Sequence, residues 1–244
     1  MSLAVITAIY GDYDKLKIPD LALDVDEYVL VTDSEDAASE GRSLGYRVWV
    51  HDGPSTSPRM SAKKPKCLPF LFTTCDSSLW IDGAFQITHG GILTPPATPV
   101  KELLDEYDWW GVVHSERDCF YNEALFCTIE PGAKLRYDES TLMKQANHYL
   151  SLGMPRHWGL WANGLILRKH TDRVKNVGNL WYGENLSWSV QDQVSFPFAA
   201  WTFGLDPKSL PLYGHPLDNQ WASWVHHQKD ECVSWRKPYT GEEA

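Results

Sequence analysis

Three short apolar runs, each stopped by an aspartate, restrict what this chain can fold into more than any other feature. Leu3–Tyr10 runs into Gly11-Asp12, Tyr28–Thr32 into Asp33, and Leu79–Ile81 into Asp82-Gly83. Unbroken Val/Ile/Leu-rich runs of this length suit strands buried on both faces of a parallel sheet. Further strands are expected over Tyr46–His51, Trp109–His114 and Leu160–Arg168, the last broken at Asn163-Gly164. Helical segments alternate with them. They are expected around Ser61–Phe72 (interrupted at Pro65 and Pro69), Thr98–Tyr107 with Thr98 as N-cap, and Asp118–Glu130. Glu139–Leu150 follows across a Pro131-Gly132 turn, then Thr171–Tyr182 and Gln191–Phe203, broken at Pro197. Such alternation implies an α/β layered sheet whose strand ends meet at the edge where these sheets hold ligands.

Length and charge narrow the function. The 244 residues suffice for a core that needs no disulfide staples. The reading is a single domain over 1–209 with an irregular tail, 210–244, packing on or closing the site. A net charge of -10 argues against nucleic acid, which is bound through a basic surface. Five cysteines, odd in number and without a CxxC pair, fit reduced thiols. No apolar run approaches a membrane span and the first strand is read from Leu3, so the expected localisation is cytoplasmic. Twelve tryptophans suit cores and also the faces of sugar rings.

Against that acidic background, Arg59, Lys63, Lys64 and Lys66 fall within eight positions just upstream of Asp82. The pairing suggests a site for phosphate plus a divalent cation; the plain alternative is a solvated helix face beside a turn. Neither GxGxxG nor GxxxxGK[ST] occurs, so strand ends rather than a glycine-rich loop must hold any nucleotide. His114-Ser-Glu-Arg-Asp-Cys-Phe-Tyr-Asn-Glu123 places His114, Arg117 and Glu123 at the same edge, as an acceptor-binding loop or an ordinary surface loop. Asn163 interrupts an apolar strand, and Asp192-Gln193 opens an apolar helix, where an N-cap is the simplest role for Asp192. A cap would tolerate Asp192→Asn. No GxSxG elbow is present, so a serine hydrolase finds no support.

Five stretches in this order resemble the nucleotide-sugar glycosyltransferases of the GT-A fold. They are Val5–Tyr13, Arg59–Lys66, Leu79–Gly83, His114–Glu123, and Trp161–Gly164 followed by Gln191–Phe196. The match is nearest to a bacterial, phage and plant glycosyltransferase-like family formerly of unknown function. The resemblance implies a GT-A-like (Rossmann-like) fold with a mixed, mainly parallel central sheet flanked by helices. It also implies a hexosyltransferase-type enzyme that moves a sugar from a nucleotide-sugar donor, UDP-linked, to a glycan, protein or small-molecule acceptor.

Carried over by position, the donor would meet Tyr10, Gly11, Asp12, Asp33, Arg59, Lys63, Asp82 and Gly83. The acceptor or sugar would meet His114, Arg117, Trp161, Asn163 and Gly164. Asp192 and Gln193 would flank the anomeric carbon, and that pair leans toward retention. Asp82 stands where the family's metal motif lies, although position 84 is Ala rather than a second Asp. The resemblance implies that a second ligand for Mn²⁺ or Mg²⁺ comes from the tail, where His226 or His227 would serve. The competing readings are a catalytically silent carbohydrate-binding protein on the same fold and a metal-dependent hydrolase built from Asp82, His114 and the tail histidines.

Overall fold

The computed structural model describes residues 1–17, 25–53, 57–87, 100–134 and 137–210, with the backbone of 214–215, 218–219 and 222–224. A seven-stranded sheet organises the chain. Its strands are β1 (Leu3–Ile9), β2 (Glu27–Thr32), β3 (Arg47–Val50), β4 (Ser77–Ile81), β6 (Trp109–Val113), β7 (Trp161–Lys169) and β8 (Lys208–Ser209). The order is β3-β2-β1-β4-β7-β6-β8. β1 pairs in parallel with β2 and β4, β2 with β3, and β6 with β8. β7 alone runs the other way, antiparallel to β4 and β6. The sheet is therefore mixed and mainly parallel, as expected, and the carboxyl ends of β1, β2, β4 and β6 share one edge.

Alternation along the strands splits the core. Leu3, Val5, Leu30, Leu79, Ile81 and Leu167 face one side, where α3 (Val100–Glu106) adds Leu103 and Leu104. On that side α1 (Glu35–Ser43) brings Gly41 close against Leu30 and Val48. Ala4, Ile6, Val29, Trp80 and Ile166 face the other side. That face is covered by α2 (Pro58–Cys67), α7 (Asp172–Ser187) and α8 (Asp192–Thr202). A third apolar cluster joins α8 to α4 (Phe120–Ile129) and α6 (Glu139–Ser151), with Tyr149 stacked on Phe198 at 4.0 Å between ring centroids. The short α5 (Pro131–Lys134) begins where a plain Pro131-Gly132 turn was expected.

Several boundaries depart from the sequence reading for local reasons. α2 starts earlier, at Pro58, because Ser57 accepts the Met60 N–H and proline suits a first helical position. It runs through Pro65 and stops at Cys67, and Pro69 opens a separate 3-10 turn, Pro69–Leu71. α8 likewise passes through Pro197 unbroken, since the aromatic cluster around Phe196 and Phe198 holds it in place. The expected break in β7 is instead a bulge. Gly111 pairs with Ile166, so a regular ladder would set Val113 opposite Gly164; Val113 pairs with Trp161 instead. Residues 162–164 are thus thrown out of the ladder, with Asn163 at φ 58°.

The tail is not wholly irregular. β9 (Gly214–His215), β10 (Asp218–Asn219) and β11 (Ala222–Trp224) join β5 (Phe85–Ile87) in a small antiparallel sheet, with Trp224 opposite Phe85. Thr98 and its expected cap lie outside the described residues. Among the described residues no helix is long and apolar enough to cross a membrane.

The α2–α7 contact is tight enough to test. A Cβ on Gly178 of α7 would overlap the carbonyl oxygen of Cys67, which belongs to backbone and yields little. Gly178→Ala should lower the urea midpoint by the equivalent of about 1–3 kcal/mol, the usual cost of overpacking, despite alanine's better helix propensity. An unchanged or raised midpoint would show that the two helices are free to separate.

Candidate functional site

A cleft of about 670 Å³ opens at the carboxyl edge of the sheet, beside the ends of β1, β4 and β6. α2 forms one wall. Arg59, Lys63 and Lys66 stand at i, i+4 and i+7, so one helical face presents all three to the cleft, while Lys64 points elsewhere. Gly11 lets the β1 turn press against Pro58, at the start of that helix; a Cβ there would come within 2.7 Å of the Pro58 ring. At the other end of α2, the fully buried Arg168 donates to the Lys66 carbonyl and lies 4.9 Å over the Trp109 ring. A guanidinium at the negative end of a helix dipole fixes the backbone that carries Lys66.

Asp192 enters from the first turn of α8. Its Oδ2 lies 2.6 Å from Lys66 Nζ and 2.8 Å from Lys63 Nζ. The Lys66 ammonium also sits 3.2 Å from Asp82 Oδ1, and the Trp80 indole N–H donates to that same oxygen at 2.6 Å. The side chains of Lys66 and Asp192 are only 5% and 8% exposed, so these charges interact with little screening. Burial alone would raise the Asp192 carboxyl, but the two ammonium groups outweigh it and hold the carboxyl well below the usual carboxylate range. Burial pulls the Lys63 ammonium down, with Asp192 opposing it. Lys66, reached by two carboxylates, is pushed up in spite of its burial.

The N-cap role, the simplest alternative for Asp192, is not what the residue takes. Gln191 occupies the N-cap position, without a side-chain cap bond, and Asp192 is the first helical residue. Its backbone carbonyl is held too, by Asn163 Nδ2 at 3.2 Å and Trp181 Nε1 at 3.1 Å.

The opposite wall comes from β6 and α4. Arg117 Nε donates to Glu123 Oε2 at 2.6 Å, and the guanidinium lies 3.8 Å over the Phe126 ring. Gln191 Nε2 donates to Glu123 Oε1 at 2.8 Å. His114 Nδ1 accepts the backbone N–H groups of Glu116 and Arg117, and its Nε2 lies 3.2 Å from Arg117 Nη2. Burial lowers the His114 pKa against the opposing pull of Glu123, favouring the neutral ring.

A family model described as TOD1/MUCI70, glycosyltransferase-like domain, matches residues 1–215. This chain belongs to that family. Among solved structures, an apo WbbM bifunctional glycosyltransferase is 14% identical and superposes with a TM-score of 0.52. That likeness covers 86% of this chain but 39% of the WbbM chain, so this chain spans about two fifths of it, and the likeness is one of fold. A CMP-2-keto-3-deoxy-manno-octonic acid synthetase complexed with CTP is 10% identical and covers 86% of this chain and 89% of its own. Its TM-score is 0.46. No curated protein matches. The GT-A-like, Rossmann-like architecture expected from the five stretches is the one observed.

The TOD1/MUCI70 domain brings together many of the residues singled out from its sequence. Tyr10, Arg59, Lys63, Asp82 and Gly83 line the cleft, as do His114, Arg117, Gly164, Asp192 and Gln193. Gly11, Asp12, Asp33, Trp161 and Asn163 do not. Both oxygens of Asp33 accept the Gly11 N–H, at 2.9 and 3.1 Å, so Asp33 braces the β1 turn. Trp161 is buried against Phe196, and Asn163 is buried behind the wall on the Asp192 carbonyl. Gln191 had no role in the sequence reading, and Lys66 stood there only as one of four cations in the basic run; its i, i+4, i+7 spacing from Arg59 and Lys63 is the signal that sets it apart from Lys64.

A divalent ion at Asp82 finds little support among the described residues. They contain no group of three or more His, Cys, Asp or Glu able to hold one, and the Asp82 carboxylate already faces an ammonium and an indole N–H. His226, the other expected ligand, lies outside the described residues, two positions beyond the Trp224–Phe85 pairing.

The Lys63–Asp192–Lys66 cluster sets a stability test. Asp192→Asn leaves two buried ammonium groups without their shared carboxylate and should cost about 3–5 kcal/mol at pH 7 in urea titration. A depressed folded-state pKa gives stability that is present above the unfolded carboxyl value, about 3.9, and is lost as pH falls toward the folded one. The gap between the parent chain and Asp192→Asn should therefore narrow below about pH 4. A small gap that is constant with pH would mean Asp192 is not paired as described.

Proposed function

We propose that this domain is a glycosyltransferase of hexosyltransferase type, taking a sugar from a UDP-linked donor and passing it to an acceptor hydroxyl with retention of configuration. The observation that carries the reading is the meeting, in one cleft at the sheet's carboxyl edge, of α2 cations with the buried Asp192 carboxylate. Arg59 and Lys63 lie where a diphosphate needs positive charge, and Tyr10 lies at the end of β1, where α/β sheets receive a nucleotide. Glycosyl transfer passes through an oxocarbenium-like state, which a fixed carboxylate stabilises.

Asp192 suits that electrostatic task better than proton abstraction, because a carboxyl held so far below its usual range is a weak base. Gln193 donates to the Ala162 carbonyl at 3.0 Å and so ties the start of α8 to the bulge of β7. The acceptor is assigned to the opposite wall, where His114, Arg117 and Glu123 line the cleft and offer polar groups to a sugar or another polyhydroxyl compound.

The test is a panel of nucleotide sugars, read by thermal stabilisation and by slow hydrolysis of the donor. One UDP-sugar should raise the melting temperature and release UDP, by mass action on the folded state and by leakage to water. Arg59→Ala should weaken that donor by about 1–3 kcal/mol, the range of a charge-assisted contact. Stabilisation by free oligosaccharides alone, with no nucleotide sugar bound or hydrolysed, would replace this reading with a silent carbohydrate-binding protein.

A further inference from the structure

We propose that the negative charge of the departing diphosphate is carried by the protein's own ammonium groups, Lys63 and Lys66, and that Asp82 serves to hold Lys66 rather than a divalent ion. The inference rests on the glycosyltransferase reading and concerns the chemistry of its donor subsite. One ammonium, Lys66 Nζ, spans two carboxylates, 2.6 Å from Asp192 Oδ2 and 3.2 Å from Asp82 Oδ1. It thus occupies the position between paired acids that a bridging cation would take. A divalent ion brought to Asp82 would meet this positive charge at close range.

The remaining acids do not change that balance. Asp14 lies across Gly83, its Oδ2 3.1 Å from where a Cβ on Gly83 would sit, yet no third donor joins Asp14 and Asp82 among the described residues. Mg²⁺ is commonly held by one or two carboxylates together with substrate phosphates, so it is the Lys66 ammonium between the acids, not their number, that argues against an ion here.

The lysines also keep hydrogen-bonding capacity in hand. Each ammonium has three N–H donors. Lys63 meets one carboxylate and Lys66 two, fewer than the three donors each carries, and both side chains line the cleft. In the transfer step the bond from the anomeric carbon to the β-phosphate oxygen breaks, and its electron pair stays on that oxygen. The acceptor hydroxyl oxygen forms the new bond to carbon, and its proton ends on the released diphosphate. Lys63 and Lys66 stabilise the charge while it resides on the phosphate. Asp82 is then a positioning residue, acting through Lys66.

Calorimetry on the whole chain with inorganic pyrophosphate and with Mn²⁺ alone tests this. Pyrophosphate should bind with the same affinity in EDTA and in Mn²⁺, Mn²⁺ alone should give no saturable heat, and Lys63→Gln should weaken pyrophosphate by tenfold or more. The comparison of EDTA with Mn²⁺ needs no variant, so it decides even if Lys63→Gln fails to fold. Pyrophosphate binding that requires Mn²⁺, with Mn²⁺ binding lost in Asp82→Asn, overturns the proposal, and so does absence of pyrophosphate binding under both conditions. Failure of the parent reading looks different: no nucleotide sugar is bound or turned over with or without metal. Turnover in Mn²⁺ that vanishes in EDTA sinks this inference and leaves that reading standing.

Discussion

Two lysines of α2 and one aspartate of α8, buried together at the sheet edge, are the contact on which the rest of this molecule depends. Removing such charges from water costs several kcal/mol per ion and is offset only when every partner is in place. The surrounding structure supplies that placement. Arg168 holds the last turn of α2 through the Lys66 carbonyl, and the missing side chain at Gly178 lets α7 lie directly on that turn. Asn163 and Trp181 hold the Asp192 carbonyl from the other side. The costly arrangement therefore acts as a registry device, since α2 and α8 satisfy their charges in one relative position.

The bulge in β7 belongs to the same device. A regular strand would keep residues 162–164 in the ladder with β6; the displaced segment instead sends the Asn163 amide toward α8, while on the other side the β4 ladder runs on, the Asp82 N–H donating to the Gly164 carbonyl at 2.9 Å. The left-handed backbone at Asn163 is uncommon for a residue with a side chain, though asparagine tolerates it better than most. Gly164 is equally constrained, because any side chain there would strike the ring of Phe85. β7 thus holds both acids of the cleft, Asp82 through the regular ladder with β4 and Asp192 through the bulged Asn163.

Much of this was legible before any coordinates. Apolar runs ending in aspartate foretold parallel strands and the edge at which they meet. The basic run before Asp82 foretold the charged wall, and helical spacing alone separates Lys66 from Lys64. Asp33 and Trp161 read as site residues for good local reasons, a strand-end acid and an aromatic beside Asn-Gly, yet one braces a turn and the other fills the core. Local pattern places a residue near an edge but does not say whether its polar atoms are already engaged by the protein.

The sequence by itself determined the alternation of strands and helices, the shared edge of the strand ends, and the family to which the order of motifs belongs. These follow from periodicity and from chemistry close along the chain. Tertiary structure decided what Asp192 is for. From sequence it was a helix cap or a catalytic carboxylate; in the fold it is the anion of an ion cluster whose cations lie more than 120 residues away. Its charge state and its partners depend on the packing of α2 against α7 and α8 and on the exclusion of water between them. No local pattern encodes a distance across that gap, because the energy of a buried charge is set by everything that surrounds it.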